Sequence, residues 1–329
     1  MIPDTTPTAE RYRNFARWVA RAESERYAQL TVGVASDPET LRFLDELPAP
    51  KRHPQLLLAA VRYLGADPAT YEELRSWVLE RRSQVADVIL RRQPQVNDFA
   101  RSASILPLLA ALPQPLALLE VGASAGLCLY PDRYQYEYGS HRVGPPSSGV
   151  RLVCPVAGDP PLPAELPHVV WRAGIDVEPL DVQDDDDVRW LEALFWPGQA
   201  RRTDQLREAV AIARREPPLM VRGDLNAQLA EVASQAPAGA TLVVLHSAVL
   251  SYLDPEARRQ FARQVREIDG HWIFQELPGA VPEVARSVPR LPRAAHQAVY
   301  VVAVDRVPVA FAGMHGEWLD WFADVAKVR

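Results

Sequence analysis

Leu116–Gly126, LALLEVGASAG, constrains the fold of this chain more than any other stretch. The apolar run Leu116–Leu119 ends in Glu120, and Gly122, Ser124 and Gly126 follow with alanines between them. A short apolar run closed by turn residues reads as a buried strand entering a tight loop. Residues without bulky side chains let the backbone approach a ligand closely. A helix after such a loop would point its free amides into the same crevice.

The same unit recurs downstream. Val169–Ile175 runs into Asp176, Pro218–Arg222 into Gly223-Asp224, Thr241–Leu245 into His246-Ser247, and His271–Gln275 into Glu276. Between them, Trp190, Leu191, Leu194 and Phe195 fall at helical spacing, as do Leu225, Leu229 and Val232, then Phe261, Val265 and Ile268. Strands alternating with helices predict an open parallel α/β sheet with helices on both faces. Ala298–Val304 and Val307–Ala312, joined by Asp305-Arg306, predict a terminal antiparallel hairpin. Upstream of about Pro113 the pattern is helical. Tyr12, Phe15, Val19 and Ala22 form one apolar stripe, and Tyr71, Leu74, Trp77, Val78, Val85, Val88 and Ile89 form another. The expected organisation is an all-helical domain over 1–113 and a sheet domain over 114–329.

Composition excludes several classes. A net charge of −6 argues against nucleic acid as a partner, since phosphate binding needs a basic face. No apolar run approaches the roughly 20 residues of a membrane span, and MIPDTTPTAERYRNF holds no signal-peptide core. Cys128 and Cys154 are the only cysteines and have no zinc-like spacing, so free thiols in the cytoplasm are expected. Asp184–Asp187 reads as a helix start, where negative charge is favourable, rather than as a metal cluster.

Five βα units after a helical start, then a hairpin, resemble a class I S-adenosylmethionine-dependent methyltransferase with its Rossmann-like sheet. Glu120-Val121-Gly122-Ala123-Ser124-Ala125-Gly126 resembles that family's acidic-x-Gly-x-Gly-x-Gly loop, with Ser124 for the middle glycine. Gly174-Ile175-Asp176-Val177-Glu178-Pro179 resembles the end of its second strand, where an acid takes the ribose hydroxyls. Val221-Arg222-Gly223-Asp224-Leu225 resembles the third-strand Gly-Asp facing adenine, and Val243–Leu253 the fourth strand and its continuation. The resemblance runs from about Leu116 to the C-terminus. It implies S-adenosyl-L-methionine as cofactor, held by Glu120, Gly122, Ser124, Gly126, Asp176, Gly223 and Asp224. The whole chain also resembles an actinobacterial family of unknown function, which implies no reaction.

The spacing departs from that pattern. Asp176 lies about 56 residues beyond Glu120, against roughly 20 in related dinucleotide folds. An insertion at about 130–165 accounts for this, with Tyr134–Tyr138 pairing with Val150–Pro155 as a hairpin. In the rival reading Tyr134–Tyr138 is itself the second strand and Glu137 the ribose acid. Asp176 is the better local match. The long gap from Asp176 to Asp224 predicts two helices broken at Trp196-Pro197-Gly198.

The candidate site residues each carry two readings. His246 is either a general base for the methyl acceptor or a structural histidine capping the next helix. Glu276 is a second candidate base, and Tyr252 reads as core. Asn97 and Arg101 either hold the methionine carboxylate or belong to a salt-bridged surface helix. Gly122-Ala123-Ser124-Ala125-Gly126 also spells Gly-x-Ser-x-Gly, the nucleophile elbow of a serine hydrolase, with Asp224 or Asp254 and His296 or His315 to complete a triad. The helical pattern before the loop, where a hydrolase needs strands, counts against that. The loop fits neither Gly-x-Gly-x-x-Gly nor a P-loop. The expected function is methyl transfer to a small molecule, by in-line displacement driven by alignment and exclusion of water. The absence of Asp/Asn-Pro-Pro-Tyr after the fourth strand disfavours a nucleobase or amide-nitrogen acceptor. A non-catalytic nucleoside-binding or regulatory protein is the other class, and the sequence leaves the oligomeric state open.

Overall fold

A computed structural model describes residues 6–21, 24–95, 98–196, 200–290 and 299–324. Its helices of eight residues or more are α1 (Thr8–Arg21), α2 (Glu25–Ser36), α3 (Pro38–Asp45), α4 (Pro54–Tyr63), α5 (Tyr71–Glu80), α6 (Arg82–Arg91), α7 (Ser102–Ala111), α8 (Asp185–Leu194), α9 (Ala200–Arg215), α10 (Leu225–Ala233) and α11 (Pro255–Glu267). Its strands are β1 (Leu116–Val121), β2 (Gln135–Tyr138), β3 (His141–Val143), β4 (Arg151–Val153), β5 (Val156–Ala157), β6 (Val169–Asp176), β7 (Leu219–Arg222), β8 (Thr241–Ser247), β9 (His271–Glu276), β10 (Val299–Val304), β11 (Val307–Gly313) and β12 (Leu319–Trp321).

The chain divides into two units. Ile2–Val96 with Asp184–Asp204 form one, and Asn97–Gln183 with Gln205–Arg329 form the other. The boundary therefore falls at 96/97, earlier than the expected 113, and α7 belongs with the sheet, packing on β9 and β10.

The helical unit is built by local signals. Asp37 caps α3 and Thr70 caps α5, each accepting a free backbone N–H, while Pro38 and Pro54 occupy first-turn positions. Asp184 caps α8, as the helix-start reading of Asp184–Asp187 predicts. Trp190 of α8 is fully buried, lies edge-on to Tyr63 with centroids 5.8 Å apart, and donates its indole N–H to the Gln93 carbonyl. Arg92 pairs with Asp186 and Asp187, two of the three remaining acids of the run.

In the other unit a nine-stranded sheet has the order β5-β12-β11-β10-β9-β8-β1-β6-β7. β7, β6, β1, β8 and β9 are parallel, with Glu120 opposite Gly174 on one side and Leu245 on the other. β10 and β11 form the expected antiparallel hairpin, and β12 adds to its edge. Its turn, Asp305-Arg306, has φ of 47° and 71°. Both residues are left-handed, which matches the right-handed twist of the flanking strands. From β1 the chain winds outward through β6 and β7, then returns to lay β8 and β9 on the opposite side. Strand order thus reverses between β1 and β8, the place where open α/β sheets hold ligands.

Two expectations change. No α-helix follows the glycine loop; a three-residue 3-10 turn, Leu127–Leu129, takes its place and is wholly buried. The insertion is not a hairpin of 134–138 with 150–155. β2 pairs antiparallel with β3 and parallel with β4, forming a separate three-stranded sheet. The tyrosines Tyr134, Tyr136 and Tyr138 fix it, donating their hydroxyls to the carbonyls of Leu127, Pro131 and Ala103. Buried hydroxyls that find carbonyls remove the cost of burying them.

Strand alternation sorts the main sheet into two faces. Ala117, Leu119, Val121, Ala173, Ile175, Leu242, Val244, Trp272 and Phe274 share one core with Leu225 and Leu229 of α10 and Phe261 and Val265 of α11. The alternate positions, among them Glu120, Arg172, Asp176, Ser247 and Gln275, belong to the opposite face.

Candidate functional site

At the switch point a small cavity is lined by Glu120 from β1, Leu245, His246 and Ser247 from β8, Gln275 from β9, Arg101, Ser102 and Ile105 from the start of α7, and Cys128. It has room for about one water molecule. Glu120 is 2% exposed, and its Oε2 has no hydrogen-bond partner among the described residues. Burial pushes its carboxyl up to about 8, with the Cys128 thiol first and then the Arg101 charge opposing. Below that the group holds its proton.

Arg101 is the cation of the site. It donates from Nε to the Met314 carbonyl at 2.9 Å and from Nη1 to Ser247 Oγ at 3.3 Å, and its guanidinium lies 5.8 Å from the Tyr300 ring centroid. Cys128 donates its thiol weakly to the Asp98 carbonyl at 3.5 Å, and burial pushes that thiol well up. Gln275 is fully buried, accepts from Ser104 Oγ and donates to the Gly313 carbonyl at 3.0 Å.

The glycine loop is built for shape. Gly122, Ser124 and Gly126 have φ of 71°, 51° and 70°. Asp176 holds the loop: its Oδ2 accepts the Ser124 N–H at 2.8 Å and its Oδ1 the Glu178 N–H at 2.9 Å. Asp176 therefore lies at the loop, on the strand beside β1. Glu137 lies in the small sheet and pairs with Arg142 and Arg151. A Cβ on Gly122 would meet Val249 Cγ2 at 2.4 Å, so this glycine admits a neighbouring side chain. Gly223 donates its N–H to the Asp176 carbonyl, and Asp224 is an exposed cap of α10, accepting from Asn226 and Ala227. Asn97 lies outside the described residues.

His246 and Glu276 are brought together, but the His246 ring is on the other face of the sheet. The ring packs on Phe274, centroids 5.4 Å apart and 10° from parallel, and edge-on to Phe261. The Trp272 indole N–H can only donate, and it reaches His246 Nε2 at 3.0 Å. Nε2 is thus the acceptor, and Nδ1 carries the proton and donates it to Glu276 Oε1 at 2.9 Å. The same Oε1 accepts the N–H groups of Val249 and Leu250. Both ring nitrogens of His246 are engaged and its side chain is wholly buried, but it caps no helix: Glu276, not His246, takes the free N–H groups after β8. Glu276 fixes the loop after β8, where Ala248 is held at φ 55°. Tyr252, expected in the core, is 72% exposed.

Ser124 Oγ is buried with no partner among the described residues, so no histidine activates it there. His296 lies outside the described residues, and His315 is paired elsewhere. That pairing is the feature the sequence concealed. His315 Nδ1 donates to Asp98 Oδ2, across 217 positions of chain. The only local signal was a histidine set in the turn Gly313-Met314-His315-Gly316.

No group of three or more metal-ligating side chains is found among the described residues, and no described helix is long and apolar enough to cross a membrane. Residues 9–321 match the family described as "Uncharacterized protein conserved in bacteria (DUF2332)". No curated protein matches the chain. The match spans nearly the whole chain, which belongs to that bacterial family.

Proposed function

Within this family, we propose that the chain binds S-adenosylmethionine at the switch point and transfers its methyl group to a small molecule. One observation carries the reading. A buried carboxyl with an unpartnered oxygen, Glu120, and a half-buried guanidinium, Arg101, line one cavity where strand order reverses. This donor set fits the amino-acid end of the cofactor, an ammonium for Glu120 and a carboxylate for Arg101. The other end fits less well, because Asp176 is engaged by loop amides and Asp224 by its own helix. When bound, the cofactor supplies an electrophilic methyl. The chain supplies orientation and a site closed to water. His246 has no free nitrogen for an acceptor's proton.

A non-catalytic member of the fold is the second reading, and one observation favours it. Val249 sits against Gly122, and the cavity admits about one water. Calorimetry and thermal unfolding with S-adenosylhomocysteine separate the two. Binding predicts a melting temperature that climbs with ligand concentration, as RT ln(1 + [L]/Kd) requires. No heat and no shift at millimolar ligand overturns the methyltransferase reading. A fluorophosphonate probe is expected to leave Ser124 unlabelled, and labelling lost in Ser124→Ala would restore the hydrolase.

A further inference from the structure

We propose that His315, positioned by Asp98, is the proton acceptor of the switch-point site, a role that rests on the ligand-binding reading above. Asp98 is fully buried, whereas the His315 side chain is 28% exposed. A carboxylate can only accept, so the bond from His315 Nδ1 fixes the proton on Nδ1 and leaves Nε2 as the free base. An imidazole turned and polarised by a buried acid is the recurrent arrangement of a general base.

The dyad adjoins the cavity through two of its lining residues. Arg101 donates to the carbonyl of Met314, the residue before His315, and Cys128 donates to the Asp98 carbonyl. Gly316 packs so closely on this segment that a Cβ there would meet the Ala100 carbonyl oxygen at 2.4 Å. The charged and titratable groups facing the dyad are Arg101, Cys128 and Tyr300, with Glu317 accepting the His315 backbone N–H. Arg101 lies close enough to Asp98 for their opposite charges to attract. A hydroxyl or amine that gains a methyl must lose a proton. The acceptor's oxygen or nitrogen bonds the methyl as the carbon–sulfur bond breaks, its electron pair staying on sulfur to leave S-adenosylhomocysteine. The acceptor's proton moves to His315 Nε2 and leaves from a side chain that is 28% exposed.

The role is read by diethyl pyrocarbonate modification followed by peptide mass spectrometry, with and without saturating S-adenosylhomocysteine, beside ¹⁵N NMR of the ring. The neutral ring is expected as the Nδ1–H tautomer. Nε2 is expected to react, and the ligand is expected to slow that reaction at least about tenfold. His315→Asn retains a donor for Asp98 but no base. It is expected to fold and to bind S-adenosylhomocysteine as the unmodified protein does. A purely structural histidine would not be shielded by ligand. An Nε2–H tautomer, an unreactive ring, or equal reactivity while calorimetry shows the ligand bound overturns the dyad alone. Absence of binding by calorimetry overturns the ligand-binding reading, and the dyad's role with it.

Discussion

Glu120 shows what a buried acid costs and what it signals. Its carboxyl is raised from 4.5 to about 8, chiefly by burial. Between those values the folded chain keeps a proton that the unfolded chain has released. Unfolding stability therefore falls as pH rises through that window and levels off above it. Glu120→Gln removes the ionisation while keeping the shape. The variant is expected to gain on the parent by about 1.4 kcal/mol per pH unit across the window. Urea unfolding at about pH 5.5 and about pH 8 measures the difference, and parallel losses in both proteins would remove Glu120 as the cause. Asp176 is the contrasting acid, each oxygen accepting a backbone N–H. Asp176→Asn turns one acceptor into a donor facing a donor. A loss of roughly 1.5–3 kcal/mol in unfolding stability is expected, the range for bonds to charged groups. A loss below about 0.5 kcal/mol would show that the loop does not depend on this carboxylate.

At the scale of elements, the loop after β1 joins two restraints at Gly122. A side chain there would be held at φ 71° and would also strike Val249. Gly122→Ala is therefore expected to destabilise by about 2 kcal/mol or more, from left-handed strain plus overpacking. In a double-mutant cycle Val249→Ala is expected to restore the packing share and leave the strain share. Strict additivity would mean that Val249 does not press on the loop. Elements of this kind divide by how local their signals are. β1, β6, β7, β8, β9 and the Asp305-Arg306 hairpin were legible, because apolar runs closed by turn residues are written in consecutive positions. The helix expected after Gly126 was not, since a glycine turn looks the same before an α-helix and before a 3-10 turn. β3, β5 and β12 have three, two and three residues, too few for a period to show. The site was half legible. Glu120 and Arg101 sat in readable motifs, whereas the Asp98–His315 bond exists only after β11 and β12 bring their connecting turn to the segment before α7. His246 was misleading for a related reason, because one step of strand alternation decides which face its side chain takes.

The whole molecule is divided differently from the order of its chain. The helical unit takes α8 from residues that follow the central strands β1 and β6. Within that unit Trp190 is fully buried, edge-on to Tyr63, with its indole N–H on the Gln93 carbonyl. Arg92 adds two acids of the same helix to the closure. Residues 1–96 alone consequently lack a wall of their own core. A fragment ending at Val96 is expected to keep helical circular dichroism while losing a cooperative melting transition, because apolar surface meant for α8 stays in water. In the full chain, Trp190→Ala is expected to cost about 3–5 kcal/mol, the range for deleting a buried aromatic. Trp190→Phe keeps much of the volume and loses the indole bond, so it is expected to cost less. Adding a synthetic peptide spanning 184–204 to the fragment supplies the missing helix, and recovery of a cooperative transition is the expected result. A fragment that melts cooperatively without the peptide would show that the helical unit closes its core from residues 1–96 alone, and that α8 is an accessory to it.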